Sequence, residues 1–204
     1  SGGNLFSGEG YLDWYNNSLQ GVNIPDSYTA PTAFNNSPIR EHSNEIDRYY
    51  NYSLNVGGPI VRDKVWWFGT YNKQFNAVAQ PNFNFDSTFD TALWNAVGKG
   101  TYQVNQKHKL IGYYQWARKE KPSRGLSNTI GPDSILAQKS DSWMYNGQHQ
   151  RVWTNRLFTD VKAGLFGFGW PMAPAIPFES NPPREDTGTG VQTGAGWLTG
   201  DAGG

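Results

Sequence analysis

The stretch NVGGPIVRDKVWWFGTY, Asn55 to Tyr71, places turn-forming residues directly before three large aromatic residues. Glycine and proline at 57 to 59 favour a tight turn, and Asp63 can accept backbone hydrogen bonds where the next strand begins. Successive side chains of a strand point to opposite faces, so the aromatic residues at 66 to 68 cannot all enter one core. The stretch therefore predicts a hairpin whose second strand is buried on both faces or has an outer face that is not in water.

The composition favours an all-β fold and excludes several classes of protein. Aromatic residues make up 15% of the 204 residues, and Gly 24 and Pro 12 favour turns and strands over helices. Lys and Arg (17) balance Asp and Glu (17), so no net field attracts nucleic acid. With Cys 0, disulfide frameworks and thiolate metal sites are excluded. No run of 18 apolar residues predicts a membrane-spanning helix.

Short and long connections alternate along the chain. Short segments bordered by aromatic and β-branched residues predict three hairpins, at Gly57 to Asp63, Asn105 to Lys109 and Trp153 to Arg156. Between them lie polar segments rich in Asn, Ser, Pro and Gly, at Asn16 to Asp47, Phe75 to Thr91 and Lys119 to Ser140, with a further segment from Gly169 to Gly204. Such long connections are unusual in a compact soluble domain, but outer-membrane barrels alternate short periplasmic turns with long extracellular loops.

Four of seven predicted strands show a two-residue period, with apolar side chains on one face and polar ones on the other. The apolar sets are Phe6, Gly8, Gly10, Leu12 and Trp14; Tyr50, Tyr52, Leu54 and Val56; Ala96, Gly98, Gly100, Tyr102 and Val104; and Val161, Ala163 and Leu165. The third, fifth and sixth strands alternate less clearly. Next to predicted periplasmic turns, Trp66, Trp67, Phe68 and Trp153 would form an interfacial aromatic girdle. The alternative is a two-sheet sandwich that buries these rings.

Two motifs carry a resemblance to a known family. The segments SGGNLFSGEGYLDWYNNSLQGVN and YSLNVGGPIVRDKVWWFGTYNKQ resemble the TonB-dependent outer-membrane receptors, in particular the Oar-like group with a carboxypeptidase-regulatory-like domain. In that group a G-T/G-N-x-F-x-G segment opens the first barrel strand, and a G-G-P-I-x-x-D-K turn followed by aromatics forms an early periplasmic hairpin. The matching residues are Gly3, Asn4, Phe6 and Gly8, then Gly57, Gly58, Pro59, Ile60, Asp63 and Lys64.

The resemblance implies an antiparallel up-and-down transmembrane β-barrel in the bacterial outer membrane. Residues 1–168 would supply about seven of roughly twenty-two strands, and residues 169–204 a long extracellular loop or flexible tail. The family's plug domain is expected outside this chain. Implied partners are outer-membrane lipid, the TonB complex through that plug, and an extracellular ligand whose binding residues the sequence does not reveal.

Catalytic and cofactor sites are not predicted. His42, His108 and His149 are far apart in sequence and match no zinc-ligand spacing, and the carboxylate pairs Glu41 with Glu45 and Glu185 with Asp186 lie in predicted loops. The chain is expected to be neither an enzyme nor a metalloprotein, and to need no cofactor. The run RKEKPSR at 118–124 is the densest basic segment, either a solvated loop or a contact for lipopolysaccharide phosphates.

Two functions are consistent with these features of the sequence. One is active uptake, by part of a receptor that imports an unidentified nutrient with energy from the TonB complex. The other is a structural or adhesive role, in which a fragment with unpaired sheet edges self-assembles or binds surface glycans through exposed rings.

Overall fold

The computed structural model describes residues 3–21, 45–79, 88–127 and 129–196 of the chain. Its regular structure is almost entirely β-strand, as the aromatic and β-branched residues predict. The long strands are β1 (Ser7–Asn16), β2 (Ile46–Val61), β3 (Val65–Ala79), β4 (Thr88–Asn105), β5 (His108–Arg124), β6 (Leu136–Thr154) and β7 (Leu157–Phe168). Three short strands follow, β8 (Met172–Pro174), β9 (Arg184–Glu185) and β10 (Gln192–Thr193). The all-β fold class is confirmed.

The long strands form one antiparallel sheet in chain order. Each pairs with the next from β1 to β7, while β8 pairs with β6, and β9 pairs separately with β10. β1 and β7 lie at opposite edges, so the sheet is open across the part of the chain that the structure describes. The predicted up-and-down antiparallel order is confirmed.

The three short hairpins are found where the sequence predicts them, but the first turn lies later in the chain. The connecting residues are 62–64, 106–107 and 155–156. Gly57, Gly58 and Pro59 were expected in the turn, but they belong to β2 and pair with the aromatic residues that open β3. Of the predicted segment Gly57 to Asp63, only Arg62 and Asp63 lie in the turn, and Asp63 is in the left-handed region at φ 61°. The turn prediction is therefore wrong for the Gly-Gly-Pro segment.

Close packing explains why glycine and proline occur in β2. A Cβ on Gly57 would lie 2.9 Å from the carbonyl oxygen of Trp67, and one on Gly58 would collide with the ring of Phe6. β1 pairs with β2 only as far as Gly57, so Pro59 lies where β2 has a single neighbouring strand. Proline inside a sheet is confined to such edge positions.

Asn4 joins the N-terminal segment to the first turn. Its Oδ1 accepts hydrogen bonds from the backbone N–H of Asp63 at 3.0 Å and from the indole Nε1–H of Trp66 at 3.1 Å. Its Nδ2 donates to the Asp63 carboxylate. With the Phe6 ring over Gly58, the two motifs that carry the family resemblance dock directly on each other.

Replacing Asn4 by alanine is expected to lower the free energy of unfolding by about 1–2 kcal/mol, because the Asp63 N–H and the Trp66 indole both lose their acceptor. The measurement is the urea midpoint followed by tryptophan fluorescence. Asn155→Ala is the matched control, since this turn amide makes no side-chain hydrogen bond to any residue that the structure describes. Equal midpoints for the two variants would contradict the assigned role of Asn4.

Two long connections are shorter than the sequence suggests. β3 continues to Ala79 and β4 begins at Thr88, while β5 continues to Arg124 and β6 begins at Leu136. Residues 75–79, 88–91, 119–124 and 136–140, which were predicted to lie in loops, therefore belong to strands. Of the first long connection, residues 22–44 lie outside the described part of the chain.

Buried hydrophobic residues are few and lie at the long-connection end of the sheet. Leu126 and Ile135 form a small cluster with Phe89 and Ile130 packed against it. The residues after β7 fold over the β5–β6 connection, where the Ser134 hydroxyl donates to the Gly194 carbonyl at 2.8 Å. The only other buried hydrophobic residues in the described ranges are three alanines, Ala77, Ala79 and Ala195. No helix among these residues is long and apolar enough to cross a membrane.

Candidate functional site

One face of the sheet, here called the aromatic face, carries rings and aliphatic side chains across all seven long strands. Residues paired in register share a face, so the pairing assigns its members. They include Leu12, Trp14, Tyr50, Tyr52, Leu54, Trp67, Tyr71, Trp94, Tyr102, Leu110, Tyr114, Trp116, Trp143, Tyr145, Val161 and Leu165. Many are exposed: Leu54 by 55%, Tyr145 by 53% and Leu165 by 71%. The two-residue periods predicted for the first, second, fourth and seventh strands are confirmed.

Ring contacts join neighbouring strands on the aromatic face, between β2 and β3 and between β5 and β6. The ring centroids of Tyr50 and Phe75 lie 5.3 Å apart, and those of Tyr114 and Tyr145 lie 4.7 Å apart. The Trp143 ring covers Gly167 on β7, where a Cβ would lie 2.6 Å from the ring. Such cross-strand ring pairs stabilise a sheet without a second layer over the face.

The opposite face, here called the polar face, carries mainly amide, hydroxyl and charged side chains. Its members include Asn51, Ser53, Asn55, Thr70, Asn72, Gln74, Asn95, Lys99, Thr101, Tyr113, Gln115, Ser140, Asn146, Gln148 and Asp160. They bond across and along strands: Asn72 Nδ2 donates to Asn51 Oδ1 at 2.7 Å, and the Tyr113 hydroxyl donates to Gln115 Oε1 at 2.7 Å. Apolar exceptions on this face include Trp66, Phe68, Leu93, Val97, Ile111, Met144, Phe166 and Phe168. The two faces of one sheet thus differ sharply in chemistry.

A depression of about 470 Å³ opens on the polar face toward the long connections. Eight of its lining residues have amide, hydroxyl or cationic side chains: Asn72, Gln74, Asn95, Arg118, Lys119, Gln138, Ser140 and Ser142. Phe168 and Trp170 border it and are largely exposed. Amides and hydroxyls both donate and accept hydrogen bonds, so these groups can contact a polar ligand whose ring or apolar surface meets the two aromatics.

The predicted aromatic girdle divides between the two faces. Trp67 lies on the aromatic face near the first short turn, and Trp153 lies on the same face near the third. Trp66 and Phe68 lie on the polar face with Thr70, because side chains alternate along β3. Of the four residues of the predicted girdle, Trp67 and Trp153 therefore share the aromatic face.

The structure brings together two histidines that the sequence places far apart. His108 Nδ1 lies 3.1 Å from His149 Nε2, across the β5–β6 pairing. Only the register of the two strands could have revealed this contact. His42 and Glu41 lie outside the described residues, within which no group of three or more potential metal ligands occurs.

Three of the remaining charged candidates, Arg118, Arg124 and Asp186, have structural partners. In the run 118–124, Arg118 forms a two-point ion pair with Asp141 at 2.7 and 3.1 Å, and Arg124 donates to Gln138 at 2.7 Å. Asp186 follows β9 and accepts hydrogen bonds from the backbone N–H groups of Thr189 and Gly188, which hold the pKa of its carboxyl below its usual value. These residues stabilise local structure.

Comparison with known proteins gave no match among family models, curated proteins or solved structures.

Proposed function

We propose that this chain forms part of the wall of an outer-membrane receptor barrel of the TonB-dependent class, which takes up an extracellular nutrient. The observation that carries the proposal is the division of a single sheet into an exposed aromatic face and a polar face, across all seven long strands. The family resemblance of the Asn4 to Gly8 and Gly57 to Lys64 motifs supplies the class of receptor.

The exposed apolar side chains of the aromatic face favour contact with lipid over contact with water. A water-soluble sheet covers its apolar face with a second layer, but Leu54, Tyr145 and Leu165 are exposed. A membrane strand needs about 9–11 residues to cross the bilayer. The long strands have 10 to 19 residues, so each could cross and extend beyond. The short turns would then lie on the periplasmic side and the long connections outside the cell.

With the aromatic face against lipid, the polar face would line the interior of the barrel. A nutrient would then be bound and taken up along the polar face. The depression near Asn72, Lys119 and Ser140 lies toward the long connections, where an extracellular ligand would enter. Residues on the β1 and β7 edges would pair with further strands, because an unpaired edge is not tolerated in lipid. Energy would reach the site from the TonB complex through the receptor's plug domain.

The same open edges support a second candidate function. β1 and β7 could pair with strands of other copies of the chain, which would produce a self-assembling structural or adhesive sheet. In that case the aromatic face would be covered by protein rather than lipid. The two functions differ in whether assembly depends on a bilayer.

A pair of single-cysteine probes tests the membrane arrangement. The chain has Cys 0, so an environment-sensitive dye reports one position only. Gly98 lies on the aromatic face with nothing within 4 Å of an added Cβ, and its neighbour Lys99 lies on the polar face. After folding with phosphatidylcholine vesicles, the Gly98→Cys label is expected to emit as in hydrocarbon and the Lys99→Cys label as in water. Identical spectra at both positions, or sedimenting assemblies of the same size without lipid, would favour the second function.

A further inference from the structure

Basic side chains cluster on the aromatic face at its short-turn end. His108 pairs with Arg151, and His149 pairs with Leu110, so these residues share the aromatic face. The two imidazole rings are stacked with centroids 5.4 Å apart, and the Arg151 guanidinium lies 3.2 Å from the centre of the Trp153 ring. Three nitrogen-bearing groups thus converge beside an exposed tryptophan.

Trp153 is fixed in this position. Its indole Nε1–H donates to the Thr159 hydroxyl on β7 at 3.0 Å, while the residue as a whole stays 44% exposed. An arginine stacked on a fixed ring loses little side-chain freedom when it binds an anion, and its guanidinium matches phosphate in geometry. Arg151 is therefore prepared for an anionic ligand.

The surrounding charge is mainly positive. Arg62, Lys64, Lys107 and Arg156 occupy the three short turns, next to this end of the face. The nearby carboxylates already have partners: Asp63 contacts Asn4, and Asp160 on the polar face accepts from Gln148 at 2.8 Å. Among the residues that the structure describes, no carboxylate forms an ion pair with Arg151.

We propose that this cluster of His108, His149 and Arg151, together with Lys107 of the adjacent turn, binds the headgroup phosphate of an anionic phospholipid. The inference rests on the proposed membrane arrangement, in which the short-turn end lies at the lipid headgroups. Leu110 and Val161 continue the same face toward its centre and would contact the acyl chains. Free phosphate lacks those chains, so the apolar surroundings favour a lipid.

Native mass spectrometry of the full chain in detergent micelles tests the site, with equal amounts of phosphatidylglycerol and phosphatidylcholine added. The wild type is expected to retain phosphatidylglycerol preferentially, and Arg151→Gln to reduce that preference about fivefold, the effect of one basic side chain near a lipid surface. Lys107→Gln, in an exposed turn, should act in the same direction.

Lys109→Gln is the matched control. Lys109 lies on the same strand as His108 and at the same depth, but it pairs with Gln150 on the polar face. Lys109→Gln removes one positive charge, as Arg151→Gln does, but from the opposite face. The proposed site therefore predicts that Lys109→Gln leaves the preference for phosphatidylglycerol unchanged. Equal losses for Arg151→Gln and Lys109→Gln, or a wild type without preference, would overturn the site.

A label at Gly98→Cys separates this result from failure of the proposed function. If that label reports hydrocarbon in phosphatidylcholine vesicles while no phosphatidylglycerol preference exists, the lipid site is wrong and the membrane arrangement stands. If the label reports water, both proposals are wrong.

Discussion

Gly57→Ala is expected to destabilise the sheet by about 2 kcal/mol, the cost of an additional methyl group in a closely packed site. The new Cβ would lie 2.9 Å from the Trp67 carbonyl oxygen and 3.2 Å from the Phe68 ring. A side chain can rotate away, but the Trp67 carbonyl belongs to the backbone of β3. Relief therefore requires β2 and β3 to separate beside the first turn. The measurement is the urea midpoint in micelles, followed by far-UV circular dichroism.

Gly100→Ala is the control for this substitution. Gly100 pairs with Trp67 at a similar depth, and a Cβ there has nothing within 4 Å. Alanine at such an open position is expected to stabilise the protein by about 0.5 kcal/mol, because it restricts the unfolded chain. A midpoint for Gly57→Ala at or above that of Gly100→Ala would show that the close approach of β2 and β3 does not require glycine.

Local patterns were sufficient to predict the fold class and the three short hairpins. The alternation in Tyr50 to Val56 depends only on the two-residue period of a strand, which any neighbouring strand preserves. The pairing within each of these three hairpins follows because a short turn can join only adjacent antiparallel strands. These features need no knowledge of distant contacts.

Features that depend on register were not predictable from the sequence. Gly57 and Gly58 have the chemistry of a turn, and only the Trp67 carbonyl oxygen beside Gly57 and the Phe6 ring beside Gly58 explain their place in β2. The contact between His108 and His149 joins residues on different strands, and a one-residue slip would place them on opposite faces. The candidate depression and the basic cluster both arise from such cross-strand placement.

Leu54→Arg is expected to lower the free energy of unfolding in phosphatidylcholine vesicles by about 2–4 kcal/mol. Arginine has an effect of this size on the lipid-facing side of a barrel near the bilayer centre. Leu54 lies near the middle of β2, paired with Gly10 on one side and Tyr71 on the other, and its side chain is 55% exposed. A guanidinium there would be transferred from water into hydrocarbon. None of the residues paired in register with Leu54 across the sheet is a carboxylate that could form an ion pair with it. The measurement is the urea midpoint of the vesicle-bound chain.

Asn55→Arg places the same charge one residue further along β2, on the polar face. Asn55 pairs with Glu9 and Thr70, so an arginine there can reach both water and a carboxylate. Asn55→Arg is expected to change the free energy of unfolding by no more than about 0.5 kcal/mol, as a substitution at an ordinary exposed position does. If the aromatic face were instead covered by another copy of the chain, Leu54→Arg would weaken assembly without lipid as well. A loss of stability that occurs only for Leu54→Arg, and only in vesicles, therefore supports contact between the aromatic face and the bilayer. Equal losses of stability for both substitutions contradict that contact.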